Sequence, residues 1–194
     1  MKKQHYATLV TALLALSLFL YTRYLEKPAG NRDLVVLYSL KGEEIRSFEI
    51  IEREGEGKEG ERRITLTKTG EGLWKIFPGD ISANPSKVVS LLENFSELKA
   101  QPLNVLNIAD DTAKMISFGL DKPSRQVLIQ SRSGPTRRIF FGKKNPVSWN
   151  VYMQIEGGKK VYLMPEANIR DVTADVEKWK IPETKPEGLP DGHP

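Results

Sequence analysis

Hydrophobic and polar positions divide the chain into three regimes. Residues 6–22 are uncharged and mostly Leu, Ala, Val and Phe, with Lys2 and Lys3 before them and Arg23 after. A long middle stretch mixes short alternating runs with segments of helical spacing. From Pro182 to Pro194 the chain has four prolines and almost nothing apolar, so this stretch lacks the apolar surface to fold alone.

The middle stretch predicts strands first. Leu34 to Tyr38 is a short apolar run, and Ile45 to Glu52 shows partial alternation. Arg63 to Thr69 alternates cleanly, with Ile64, Leu66 and Lys68 on one side and threonines on the other. Gly72 to Phe77 is a further strand, ended by Pro78-Gly79. Arg125 to Gln130 and Arg137 to Phe141 flank a Ser133-Gly134-Pro135 turn, and Asn150 to Ile155 and Lys160 to Met164 flank Gly157-Gly158. Short connections between such runs predict antiparallel hairpins.

Helical spacing follows the first strands. Asn84 suits an N-cap and Pro85 the first turn, and Val88, Leu91, Leu92, Phe95 and Leu98 then line one face. That face predicts a core-facing helix, because the polar side mixes Lys87, Glu93, Asn94, Glu97 and Lys99. Gln101 to Asn107 reads as an extended connection. A shorter helix is predicted over Ala109 to Phe118, closed by Gly119 as a left-handed cap, and Pro123 prevents its resumption. Ala167 to Trp179 is expected to be partly helical. Strands neighbour one another instead of alternating with helices, which predicts an α+β fold of antiparallel hairpin-rich sheet with two or three packed helices.

The first regime predicts one N-terminal transmembrane helix. Seventeen residues make a helix of roughly 25 Å, near the short end of what crosses a bilayer. Tyr6, Leu9, Leu13, Leu14, Leu16, Phe19, Leu20 and Tyr21 are its anchoring side chains, and Tyr21, Arg23 and Tyr24 form a headgroup collar. A cleaved signal peptide is the main alternative and a buried core helix the other. Against cleavage, the best small-x-small site, Ala15-Leu16-Ser17, is still followed by Leu18, Phe19 and Leu20, and a site near Pro28-Ala29-Gly30 places Lys27 at −3. The resulting division is an anchor over 1–25, an extracytoplasmic domain over 26–181 and a Pro-rich tail over 182–194. Flanking charges nearly balance, so a cytoplasmic N-terminus follows from the shortness of the head. Ala7, Thr11, Ala12, Ala15 and Ser17 also leave room for close helix packing within a complex.

Composition narrows the chemistry. The 29 Lys and Arg give a net charge of +4 and a pI near 9.2. Lys2, Lys3 and Arg23 belong to the anchor region, which leaves 26 basic against 25 acidic residues in the remainder. Such a body has no field to steer nucleic acid. The absence of cysteine excludes disulfides, thiolate metal sites and thiol nucleophiles.

No motif rises to an active site. Gly55-Glu56-Gly57-Lys58-Glu59-Gly60 fits G-x-G-x-x-G, but a strand follows it where pyrophosphate binding needs a helix N-terminus. Glu54, Glu56, Glu59 and Glu61 repel phosphate, so the segment reads as a hairpin tip. His5 and His193 lie at the chain ends. Asp110-Asp111 fits a helix-dipole role. Asp171 and Asp175 are spaced i, i+4 without an evident third ligand. The basic pairs Arg137-Arg138, Lys143-Lys144 and Lys159-Lys160 read as solvated turns, or as a headgroup or acidic-partner contact if they cluster. Trp149 reads as a surface anchor and Trp74 as core. No catalytic, cofactor or metal residue is assigned, and no cofactor or small-molecule substrate is expected.

The order of Leu73-Trp74-Lys75-Ile76-Phe77-Pro78, the helix with Val88, Leu91 and Leu92, Phe118-Gly119-Leu120-Asp121-Lys122-Pro123, Phe141-Gly142, Val151-Tyr152 and Val161-Tyr162-Leu163 resembles the bacterial domain of unknown function 4340 family. The likeness covers roughly residues 34–170. It implies a single membrane segment, an extracytoplasmic domain at a bacterial inner membrane, no established activity, and for some members an accessory place in ABC-type export or gliding-motility systems. Trp74, Pro78, Gly119, Leu120, Asp121 and Pro123 carry the motif as structural residues.

The functional expectation is a non-enzymatic, membrane-anchored accessory or scaffold subunit contacting a larger integral-membrane complex. The alternative is an extracytoplasmic ligand- or peptide-binding module of an ABC-type transport, envelope or motility system. A hydrolase built on Asp171 or Asp110 is the least supported reading.

Overall fold

The computed structural model describes residues 15–17, 34–53, 60–103 and 110–182. The chain divides into two compact units, Met1–Arg32 and Asp33–Pro194. In the first, Ala15, Leu16 and Ser17 are helical. The other anchor residues, Tyr6, Leu9, Leu13, Leu14, Phe19, Leu20 and Tyr21, lie outside the described residues, as do the glycine-rich tip and the Pro-rich tail beyond Pro182.

In the second unit, the strands are β1 (Val35–Ser39), β2 (Ile45–Arg53), β3 (Glu61–Lys68), β4 (Trp74–Phe77), β5 (Ile81–Ser82), β6 (Glu97–Pro102), β7 (Arg125–Ser131), β8 (Arg137–Lys144), β9 (Val151–Ile155) and β10 (Tyr162–Met164). They form one sheet in the order β1-β6-β10-β9-β8-β7-β2-β3-β4-β5, and every pairing is antiparallel. Two meanders, β2 to β5 and β7 to β10, join through β2 and β7. Two α-helices accompany the sheet among the described residues, α1 (Pro85–Ser96) and α2 (Thr112–Phe118).

This corrects the expected α+β fold with an N-terminal transmembrane helix. The described chain is mostly a ten-strand antiparallel sheet with few helices. Among the described residues, no helix is long and apolar enough to cross a membrane. Two local changes shift the balance towards sheet. Leu98 does not extend α1, because the chain leaves the helix at Ser96 and β6 pairs with β1, placing Leu98 opposite Tyr38. Ala167 to Trp179 forms only two 3-10 turns, Glu166–Asn168 and Val176–Lys178.

The alternating strands behave as their patterns require. Phe48 and Ile50, Ile64 and Leu66, Val127 and Ile129, and Ile139 and Phe141 all point to one buried face. Helix α1 covers that face with Val88, Leu91 and Phe95. Asn84 caps the helix by accepting from the Ser86 amide at 3.0 Å. The Phe95 ring lies edge-on to Phe48 at 6.2 Å and to Phe141 at 6.3 Å, so one helix ties both meanders together. Half-buried Trp74 packs at the margin of the same core, 5.9 Å from Phe48.

Helix α2 takes the opposite face. Phe140 and Tyr152 alternate with core residues, and they join Met115, Phe118, Leu120 and Val161 in a second, smaller cluster. Phe118 stacks on Tyr152 at 4.3 Å. Asp111 caps α2 through the Lys114 amide, at 3.1 Å. Gly119 ends the helix in the left-handed region at φ 69°, and the amides of Gly119 and Leu120 donate to the Ile116 and Met115 carbonyls. The left-handed cap expected at Gly119 is thus seen, and Asp111, expected in a helix-dipole role, is the N-cap of α2.

Candidate functional site

Charged residues in phase with core residues mark the most developed polar cluster. Glu52 follows Phe48 and Ile50 at even spacing, so it points to the covered face. Arg62 precedes Ile64 and Leu66, and Arg125 precedes Val127 and Ile129, with the same parity. The register places Arg62 and Arg125 directly opposite Glu52 on the two neighbouring strands. The Glu52 carboxylate accepts from Arg125 Nη2 at 2.9 Å, Arg62 Nη2 at 3.3 Å, Thr173 Oγ1 at 2.7 Å and the Ala174 amide at 3.1 Å. Arg125 Nη1 donates to the Ile169 carbonyl at 2.6 Å.

This knot fastens the irregular C-terminal segment over the end of the sheet. The segment then buries Ile169, Val172, Ala174 and Trp179, and the Trp179 indole donates to the Thr173 carbonyl at 2.8 Å. Burial raises the Glu52 pKa, but the hydrogen bonds from Thr173, Arg125 and Ala174 and the Arg125 charge outweigh it, so the carboxyl lies below its ordinary value. With four hydrogen bonds already accepted, Glu52 is a fastener and not a free acid or base.

The sign of that shift gives a prediction. The stabilisation from ionised Glu52 is complete above about pH 4.5 and is lost as pH falls through the lower folded-state value. Glu52→Gln is expected to flatten the acid limb of a stability-versus-pH curve below about pH 4.5. Parallel acid limbs for both proteins, measured by urea unfolding at each pH, count against the knot.

A groove of about 200 Å³ opens between α1 and the C-terminal segment. Ser86, Ser90, Asn94, Asn168 and Asp171 line it over buried Leu91, Val172 and Trp179. Asn94 Nδ2 crosses it to the Asn168 carbonyl at 3.2 Å. Asp171 reaches this groove, but Asp175 does not join it. Asp175 caps the second 3-10 turn by accepting from the Glu177 amide at 3.1 Å. Asp171 and Asp175 thus do not share a helix face, because the chain between them forms no helix. Among the described residues, no group of three or more His, Asp or Glu is arranged to hold a metal ion.

Three members of the basic pairs make separate contacts. Arg137 lies over the Tyr38 ring at 4.7 Å, Arg138 pairs with Glu156 at 2.9 Å, and Lys144 pairs with Glu166.

The sheet ends on two unequal edges. β5 is two residues long, and Ala83 beyond it bridges to Lys180. β1 is longer, reads Val-Val-Leu-Tyr-Ser, and pairs on one side only, with β6, among the described residues. Val35 and Val36 sit in regular register with Ala100 and Lys99, before a bulge that shifts the register by Tyr38. Tyr38 anchors the strand by burying its ring. Burial pushes its phenol pKa up, and Arg137 pulls against that. Val35 and Val36 are both exposed. No Lys, Pro or other blocking residue stands within this edge.

A family model described as Domain of unknown function (DUF4340) matches residues 74–183. The chain belongs to this family. No curated protein and no solved structure matches the chain. The DUF4340 match runs from β4 through the C-terminal segment, so it begins later and ends later than the expected span of 34–170. The motif residues fall inside it. Trp74 lies beside Phe48, and Pro78 follows a cis Phe77–Pro78 bond. Gly119 and Leu120 close α2, with Asp121 and Pro123 in the connection to β7. Of the polar knot, Arg125, Ile169, Thr173 and Ala174 lie within the DUF4340 match, whereas Glu52 and Arg62 precede it.

Proposed function

We propose that the chain is a non-enzymatic accessory subunit of a larger membrane assembly, joined to its partner by strand addition at β1. The observation that carries this reading is the uncharged β1 edge, paired on one side only among the described residues, with Val35 and Val36 exposed. Such an edge offers backbone donors and acceptors to an extended segment of a partner, and its side chains select the fit. The titratable groups with shifted equilibria support a binding role over catalysis. Tyr38 lies in the core, Glu52 is saturated in the knot and Asp111 caps α2. The uncharged stretch over residues 6–22 with its basic flanks supports a membrane location, with the sheet domain on the extracytoplasmic side.

Purification of the full chain in mild detergent, followed by mass spectrometry of what accompanies it, tests the proposal. Replacing Val35 and Val36 together by Lys is expected to cut the recovered partner about tenfold, the effect of losing about 1.4 kcal/mol of binding. Val35 is 41% and Val36 51% exposed, so the melting temperature is expected to change little beside the loss of partner. Unchanged recovery, or a functional protein that purifies alone, counts against strand addition.

The groove between α1 and the C-terminal segment favours a second reading, a ligand- or peptide-binding module of a transport, envelope or motility system. Its mixed polar rim and buried floor suit a small polar ligand. A ligand that raises the melting temperature of the native chain but not of Ser90→Leu supports this reading. A shift of equal size in both proteins opposes it.

A further inference from the structure

Two large apolar side chains stand out from the turn between β8 and β9. Val147 is 88% exposed and Trp149 is 69% exposed. The turn is well braced. The Asn145 side chain accepts from the amides of Val147 and Ser148 at 2.8 and 3.1 Å, and its Nδ2 donates to the Tyr152 hydroxyl at 2.9 Å. The Asn145 backbone closes the loop with Asn150 and Trp149, at 2.7 and 3.0 Å. Trp149 is held at φ 59°, a region that residues with a Cβ rarely adopt.

The braced turn leaves the Trp149 side chain mostly in water, at 69% exposure. We infer that this tip seats in the headgroup region of a bilayer carrying anionic lipid, an inference that rests on the membrane part of the proposed function. An indole joins an apolar body to an N–H that favours the boundary between hydrocarbon and water. Val147 supplies a second apolar contact beside it. The chain entering the turn carries Lys143 and Lys144, both exposed, and residues 143–150 contain no acid. That charge complements an anionic surface, even with Lys144 also paired to Glu166. A convex two-residue tip also suits insertion into a soft interface better than packing on a rigid protein, where anchors fill concave pockets.

The test uses the full chain reconstituted in vesicles of phosphatidylcholine and phosphatidylglycerol. Subtracting the Trp149→Phe spectrum isolates the Trp149 emission from that of Trp74 and Trp179. The inference predicts a blue-shifted Trp149 component, quenched by brominated lipid and protected from aqueous acrylamide. Val147→Asp is predicted to abolish the shift while leaving the melting temperature unchanged. If the chain floats with the vesicles but Trp149 stays open to acrylamide, the inference is overturned and the membrane location stands. If the chain does not float, both fail. Protection of Trp149 that appears only when a co-purified protein is present also overturns it, in favour of a protein contact.

Discussion

Glu52→Ala is expected to lower the unfolding free energy by about 3–5 kcal/mol, because it leaves a largely buried arginine without its counter-charge. Arg125 is 18% exposed and is held in place by the Ile169 carbonyl, so it has no easy route to water. The Thr173 hydroxyl and the Ala174 amide lose their acceptor at the same time. The C-terminal segment then loosens, and the loss spreads to Ile169, Val172 and Trp179. For a domain of this size the melting temperature should fall by roughly 10 °C.

Two comparisons isolate the cause. Arg62 is 49% exposed, so Arg62→Ala should cost less than about 1 kcal/mol. Replacing both partners, Glu52→Leu with Arg125→Met, should recover much of the loss, since a buried ion pair and an apolar pair of similar volume are often nearly equal. Equal effects of Glu52→Ala and Arg62→Ala would show that Glu52 is not the hub of the knot. Equilibrium denaturation with tryptophan fluorescence suits this series, since Trp179 reports on the C-terminal segment.

Gly142→Ala carries the second large effect, about 3 kcal/mol or more of destabilisation, from overpacking against atoms that cannot yield. A Cβ at Gly142 meets the Phe118 carbonyl oxygen at 2.1 Å and the Gly119 carbonyl carbon at 3.1 Å. These belong to the backbone that ends α2, so the helix must retreat from β8. Its retreat opens the cluster of Leu120, Val161 and Tyr152 on the outer face. The Phe141-Gly142 pair of the family motif thereby acquires a physical meaning. Phe141 faces the core beside Phe95, and Gly142 lets the cap of α2 approach the next strand. A loss below about 0.5 kcal/mol, the range of an ordinary surface change, would contradict this account.

Local chemistry was legible in the sequence, and long-range pairing was not. Ile64 and Leu66 marked β3 by alternation, Asn84 and Pro85 marked the start of α1, and Gly119 marked the end of α2. Leu98 misled because it continues the apolar stripe of α1 at helical spacing. Its backbone instead pairs with β1, which is about sixty residues away in the sequence. Ile169, Val172, Val176 and Trp179 likewise imitate a helical face. There the Ala174 amide goes to Glu52 and the Thr173 carbonyl to the Trp179 indole, so these backbone groups are not left for a helical ladder. Both departures moved the fold away from α+β towards a sheet with few helices.

The knot is marked in the sequence by charge. Glu52, Arg62 and Arg125 each stand in phase with the apolar face of their strand, where an unpaired charge is costly. Three such residues on three predicted strands call for one another as partners. The β1 edge left no comparable signal. Leu34 to Tyr38 announces a strand, but whether that strand lies inside the sheet or at its border depends on β6, β10 and the order of the whole sheet.

Hydrogen–deuterium exchange of the full chain, alone and in its detergent-purified assembly, tests the central claim most directly. Strand addition predicts that the amides of Val35–Ser39 gain protection in the assembly, with little change in β7 and β8. Unchanged exchange across β1, with protection appearing on another surface of the same assembly, contradicts it.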